Sequence, residues 1–122
     1  MFRNLSFAVA GVVSLCFFQT QAFAHADLKA STPAPGSSVA EVKEIRLGFN
    51  ESVNPKFSGA DLKDEAGKPI ATGPATLDSK NKKELIMPVS GKLEPGSYTV
   101  EWHAVASDSH RVKGQFSFNV TQ

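Results

Sequence analysis

Apolar and polar residues alternate one by one along much of this chain, and that period of two restricts the fold more than any other feature. Ile45, Leu47 and Phe49 fall on one side, with Arg46, Gly48 and Asn50 on the other. Tyr98, Val100, Trp102 and Ala104 alternate with Thr99, Glu101, His103 and Val105, and Phe116, Phe118 and Val120 repeat the pattern near the end. Side chains along a strand point to opposite faces in turn, so this alternation describes half-buried strands of an antiparallel sheet. No stretch after residue 24 carries a helical period. Pro33-Ala34-Pro35-Gly36, Glu65-Ala66-Gly67-Lys68-Pro69, Gly73-Pro74 and Glu94-Pro95-Gly96 supply turns at short intervals. Strands are expected near 26–31, 44–53, 58–64, 68–72, 83–89, 97–106 and 112–121. About seven strands in such a length make an all-β, immunoglobulin-like Greek-key sandwich or barrel.

The first 24 residues follow a different rule. Arg3 is the only charged side chain before Asp27, and the apolar run from Leu5 to Phe18 is too short for a spanning helix, which needs about 20 residues. Gln19-Thr20-Gln21 breaks the run, and Ala22-Phe23-Ala24 provides small residues at both cleavage-site positions. A charged start, a short apolar core and an Ala-x-Ala end describe a secretory signal peptide cleaved after Ala24. Lipidation at Cys16 fits poorly, because Leu15 precedes it where a small residue is required. Residues 25–122 are then the functional domain, and the product is expected in the periplasm.

Of 122 residues, 13 are basic and 12 acidic. That balance offers no cationic excess for a phosphate backbone and no acidic excess of the disordered type. Cleavage would also remove Cys16, the only cysteine, which excludes thiolate metal sites and cysteine nucleophiles from the product. One domain held by its apolar core is expected, acting as a monomer without membrane insertion.

The chemistry centres on two places. Cleavage after Ala24 exposes His25 as a terminal residue, whose α-amine and ring Nδ1 can close a six-membered chelate around a metal. Asp108-Ser109-His110 is the second element. In an extended segment its two outer residues share a face, so carboxylate and imidazole can converge. Together these supply three nitrogens and one oxygen, a donor set suited to tetragonal Cu(II), though zinc can use the same ligands. Met87 is the only methionine after Met1, so no sulfur-rich Cu(I) cluster is available. His103 alternates with Trp102 and is assigned to the outer face. Trp102 and Tyr98 are assigned to the core beneath the site.

His25-Ala26-Asp27-Leu28, Ser31-Thr32-Pro33 with Gly36, and Phe49-Asn50-Glu51 form a recognisable series. It continues through Leu93-Glu94-Pro95-Gly96-Ser97-Tyr98-Thr99-Val100-Glu101-Trp102, Ser107-Asp108-Ser109-His110 and Gly114-Gln115-Phe116-Ser117-Phe118. In these motifs the chain resembles the CopC family of periplasmic copper-binding proteins. The resemblance implies a Greek-key β-barrel that binds one Cu(II) through His25, Asp108 and His110. It puts Glu51 near the metal, hydrogen-bonding a ligand or a metal-bound water. It also implies an inner-membrane CopD-type copper transporter as client. Some members carry a Cu(I) site in a methionine-rich loop, whereas residues 64–83 here contain no methionine, which implies a Cu(II)-only member.

Two other functions compete. The terminal amine with two imidazoles is also the copper brace of lytic polysaccharide monooxygenases, but those need an open oxygen position and exposed aromatic residues. A metal-free immunoglobulin-like structural domain is the remaining alternative.

Overall fold

The computed structural model describes residues 26–121. The expected signal segment, Cys16 and His25 lie outside the described residues. Nine strands form two sheets, and no helix occurs among the described residues. The first sheet has the order β1 (Leu28–Thr32), β3 (Glu44–Phe49), β7 (Asn81–Pro88), β6 (Thr76–Asp78). The second has the order β2 (Ser38–Val39), β9 (Arg111–Val120), β8 (Gly96–Val105), β4 (Gly59–Lys63), β5 (Pro69–Ile70). The chain switches sheets between β1 and β2, β2 and β3, β3 and β4, β5 and β6, and β7 and β8. Such exchange between layers is the connectivity of a β-sandwich.

The alternation read from the sequence is the alternation of burial. Ile45, Leu47 and Phe49 face inward, as do Val100, Trp102 and Ala104 from β8 and Phe116, Phe118 and Val120 from β9. Tyr98 stacks on Phe118 with ring centroids 5.7 Å apart, and its hydroxyl donates to the Glu94 carbonyl at 2.6 Å. That bond lets a buried phenol keep a partner while pinning the turn before β8. Burial raises the Tyr98 pKa above its ordinary value, with Glu94, Asp64 and Glu65 adding to the shift.

Three expectations change. Two strands were not anticipated, β2 and β6, because two or three residues are too few to display a period. β2 also pairs in parallel with β9, an exception in otherwise antiparallel sheets. The strand expected over 44–53 ends at Phe49, and only an isolated bridge from Val53 to Ala106 follows it. The backbone bends at Asn50 and Glu51, and Val53 then meets the start of the loop joining β8 and β9.

Candidate metal centre

Strands β8 and β9 form a long hairpin from Gly96 paired with Val120 to Val105 paired with Arg111. The connection, residues 106–110, carries the Asp-x-His motif. Its shape comes from a turn and not from extended chain. Ser109 has φ 68°, in the left-handed region, and donates its amide to the Ala106 carbonyl at 3.0 Å. The expectation that strand geometry sets Asp108 and His110 on one face is therefore corrected. The local reversal at Ser109 brings them together, since a β-strand here would have continued the hairpin instead of closing it.

Within the turn the two side chains meet directly. Asp108 Oδ1 accepts the His110 amide at 3.0 Å, and Asp108 Oδ2 lies 2.8 Å from His110 Nδ1. The ring bond is the main reason that the Asp108 carboxyl lies below the usual carboxylate range, and the amide bond adds to it. An ionised carboxylate only accepts, so Nδ1 carries the proton in this contact. A carboxylate–imidazole pair of this type orients a metal-ligating histidine and raises its basicity. A cation on Nε2 would lie across the ring from this carboxylate, so Asp108 and His110 can ligate one cation together only when the Asp108–Nδ1 bond opens.

Three residues from the segment after β3 hold this loop and the strand end beside it. Val53 bridges Ala106, and Asn54 donates its amide to the Val105 carbonyl at 2.8 Å. The buried Ser58 hydroxyl accepts the Val105 amide at 2.9 Å. Glu51 lies two residues before the Val53 bridge. Its Oε2 is buried with no hydrogen-bond partner among the described residues. A carboxylate oxygen shut from water without a donor is costly, so this position suits a cation or a donor beyond the described set. The donor chemistry of Asp108 and His110 fits a borderline cation that takes nitrogen and oxygen.

The start of the described chain reaches the same end of the sandwich. Asp27 donates its amide to Asn50 Oδ1 at 2.7 Å and accepts the Asn50 amide at 3.1 Å, and Ala26 before it is fully buried. No group of three or more His, Cys, Asp or Glu side chains converges among the described residues. Glu51, Asp108 and His110 thus form no such group, and His25 lies outside the described residues.

Beneath the loop, Trp102 packs edge-on against Phe49 with centroids 5.6 Å apart, linking the floor of β8 to the strand that leads into Glu51. Its ring also covers Gly114, where a Cβ would come within 2.6 Å of Trp102 Cζ2. Tyr98 is buried as expected, but it sits near the opposite end of β8 and forms no floor for the site. His103 is on the outer face as expected, half-buried across from Gly59 on β4 and Lys113 on β9. Met87 is buried in the core, paired with Ile45 across the first sheet.

Residues 28–121 match the family model described as the CopC domain. The chain belongs to the CopC domain family. Against the Escherichia coli (strain K12) protein YobA this CopC domain chain is 37% identical over 119 residues, covering 97% of the chain and 95% of YobA. With copper resistance protein C of Pseudomonas syringae pv. tomato it shares 36% identity over 102 residues, 80% of this chain and 81% of that one. The crystal structure of Escherichia coli PcoC, a methionine-rich copper resistance protein, superposes with a TM-score of 0.73 at 34% identity, covering 80% of this chain and all of that one. The crystal structure of CopC from Methylosinus trichosporium OB3b gives 0.73 at 30% identity, covering 79% of this chain and 93% of that one. Unlike methionine-rich PcoC, this chain has only Met1 and Met87.

Proposed function

We propose that the chain is a periplasmic Cu(II)-binding protein that carries, buffers or delivers one copper ion and performs no reaction on a substrate. Residues 1–24 are the cleaved export signal in this reading, and residues 25–122 are the carrier. The α-amine and ring of His25, the His110 imidazole and the Asp108 carboxylate are the proposed donors. Glu51 is proposed to hydrogen-bond a ligand or a metal-bound water. The observation that carries the proposal is the 106–110 turn, which brings the Asp108 carboxylate and the His110 imidazole into direct contact. The buried Glu51 oxygen, unpartnered among the described residues, supports a cationic occupant.

Membership in a family whose relatives are named copper resistance proteins supports copper as the cargo. Nitrogen and carboxylate donors favour Cu(II) over Cu(I), and burying Met87 removes the only thioether after Met1 from any second site. A CopD-type membrane copper transporter is the proposed client. The stacking candidates of the oxygenase alternative, Trp102 and Tyr98, are both buried, and Phe57 is the exposed aromatic residue among the described residues.

Copper titration of the periplasmically processed protein, read by mass spectrometry and EPR, tests this function. One tight Cu(II) per chain with a tetragonal, nitrogen-rich spectrum is expected. Two equivalent ions, tighter Cu(I) than Cu(II), or no binding would refute it.

A further inference from the structure

Asn50 holds a position that no composition or motif argument assigns. β3 ends at Phe49, whose partner on β1 is Leu28. One more ladder step would pair Asp27 with Asn50, but the backbone bends at Asn50. The step is completed by a side chain: the Asp27 amide donates to Asn50 Oδ1 at 2.7 Å, while the Asn50 amide donates to the Asp27 carbonyl at 3.1 Å. A short amide side chain can thus stand in for a backbone acceptor where the strand turns away.

We infer that Asn50 is a positioning residue that clamps the amino-terminal end of the carrier for copper binding. The inference rests on the proposed site in which the His25 amine is a ligand. Consecutive Cα atoms are 3.8 Å apart, so a clamp at Asp27 limits where a residue two positions earlier can reach. A chain terminus left unfastened spends binding free energy on ordering itself, and a fastened one is pre-organised. Three residues beyond Asn50, Val53 bridges Ala106 at the start of the 106–110 loop. The segment from Asn50 to Val53 therefore touches both the chain start and the loop bearing Asp108 and His110, with Asn50 itself no ligand.

The test is a cycle of four proteins, made by combining Asn50→Leu with one glycine inserted before His25. All are exported and processed, and Cu(II) affinity is measured by competition at fixed pH. Asn50→Leu keeps the side-chain size but removes the acceptor. It is expected to weaken the processed protein by about 2–10-fold, the worth of one hydrogen bond, and to change the glycine-extended protein by less than about twofold. Asn50→Asp, which retains an oxygen acceptor, should restore affinity. Amide exchange without copper gives an independent readout: Asp27 should lose protection in Asn50→Leu and keep it in Asn50→Asp. If the extension weakens binding but Asn50→Leu does not, the clamp is refuted and the proposed site stands. Equal weakening of both forms by Asn50→Leu would also refute the clamp, since it would then act on the fold at large. If the extension itself has no effect, the terminal-amine site falls, and the clamp's purpose falls with it.

Discussion

Two turns at the ends of hairpins use the same local device and arrive at different chemistry. Between β6 and β7, Asp78 Oδ1 accepts the Lys80 amide at 2.8 Å, and between β8 and β9, Asp108 Oδ1 accepts the His110 amide at 3.0 Å. Each aspartate thus closes a turn through the amide two residues on. The difference is what the second carboxylate oxygen meets. Asp78 Oδ2 lies 3.1 Å from Arg46 Nη1, and Arg46 also binds Glu44 and Glu84, at 2.7 and 3.0 Å. Asp108 Oδ2 instead meets His110 Nδ1 at 2.8 Å. Both carboxyls are held below their ordinary range, Asp78 chiefly by the Lys80 amide and then by Arg46, Asp108 chiefly by the His110 ring. A guanidinium stays protonated and cannot ligate a cation, so the first turn is a structural fastening. An imidazole can exchange a proton for a metal, so the second turn can carry function.

The contrast breaks most sharply at His110. Replacing it by alanine should weaken Cu(II) binding by several orders of magnitude with the fold intact. The matching replacement of Arg46 by methionine should leave copper affinity within about twofold, well below the effect of losing a ligand-orienting group. Circular dichroism and competition titration on the two variants check this, and copper loss in both would erase the distinction between the turns.

A smaller effect sharpens the role of Glu51. Glu51→Gln should weaken Cu(II) by about 10–100-fold if Oε2 supports a ligand or bound water. Because that oxygen has no partner among the described residues, the copper-free variant should be no less stable than the parent. A destabilised copper-free Glu51→Gln would show that the oxygen serves the fold.

The smallest effect concerns acid stability. Asp78 has a depressed folded pKa, so its stabilisation is present above the unfolded value of about 3.9 and disappears as pH falls through the lower folded value. Asp78→Asn should therefore be less stable than the parent near neutrality, and the gap should close in the acid range. Thermal midpoints across pH measure this, and a gap that persists unchanged at low pH would contradict it. Copper affinity should fall with acidification in parent and variant alike, because ligating nitrogens must release protons.

The comparison also explains what the sequence disclosed. Period two located Ile45, Leu47 and Phe49, and Val100, Trp102 and Ala104, because a half-buried sheet imposes that pattern on its residues. β2 and β6 stayed hidden, being too short for a pattern and held by pairing to neighbours distant in sequence. His110 and Asp108 were visible as chemistry, but their meeting was inferred from an extended chain that does not exist. The left-handed φ at Ser109 had no glycine to announce it. Asn50 stood in a quoted motif, yet its bond to the Asp27 amide depends on where β3 ends, which alternation does not mark. The burial of Glu51 Oε2 likewise follows from the bend after Phe49.

The central claim is that copper is held at the chain start and the 106–110 turn together. The most direct measurement compares Cu(II) affinity of the processed protein with that of a form carrying one glycine before His25, by competition at a single pH. Every side chain is the same in the two, but the extension converts the His25 amine to an amide nitrogen and abolishes the six-membered chelate. The account predicts a large loss of affinity and of nitrogen coupling in the EPR spectrum of the extended form. Equal affinity and an unchanged spectrum would contradict it.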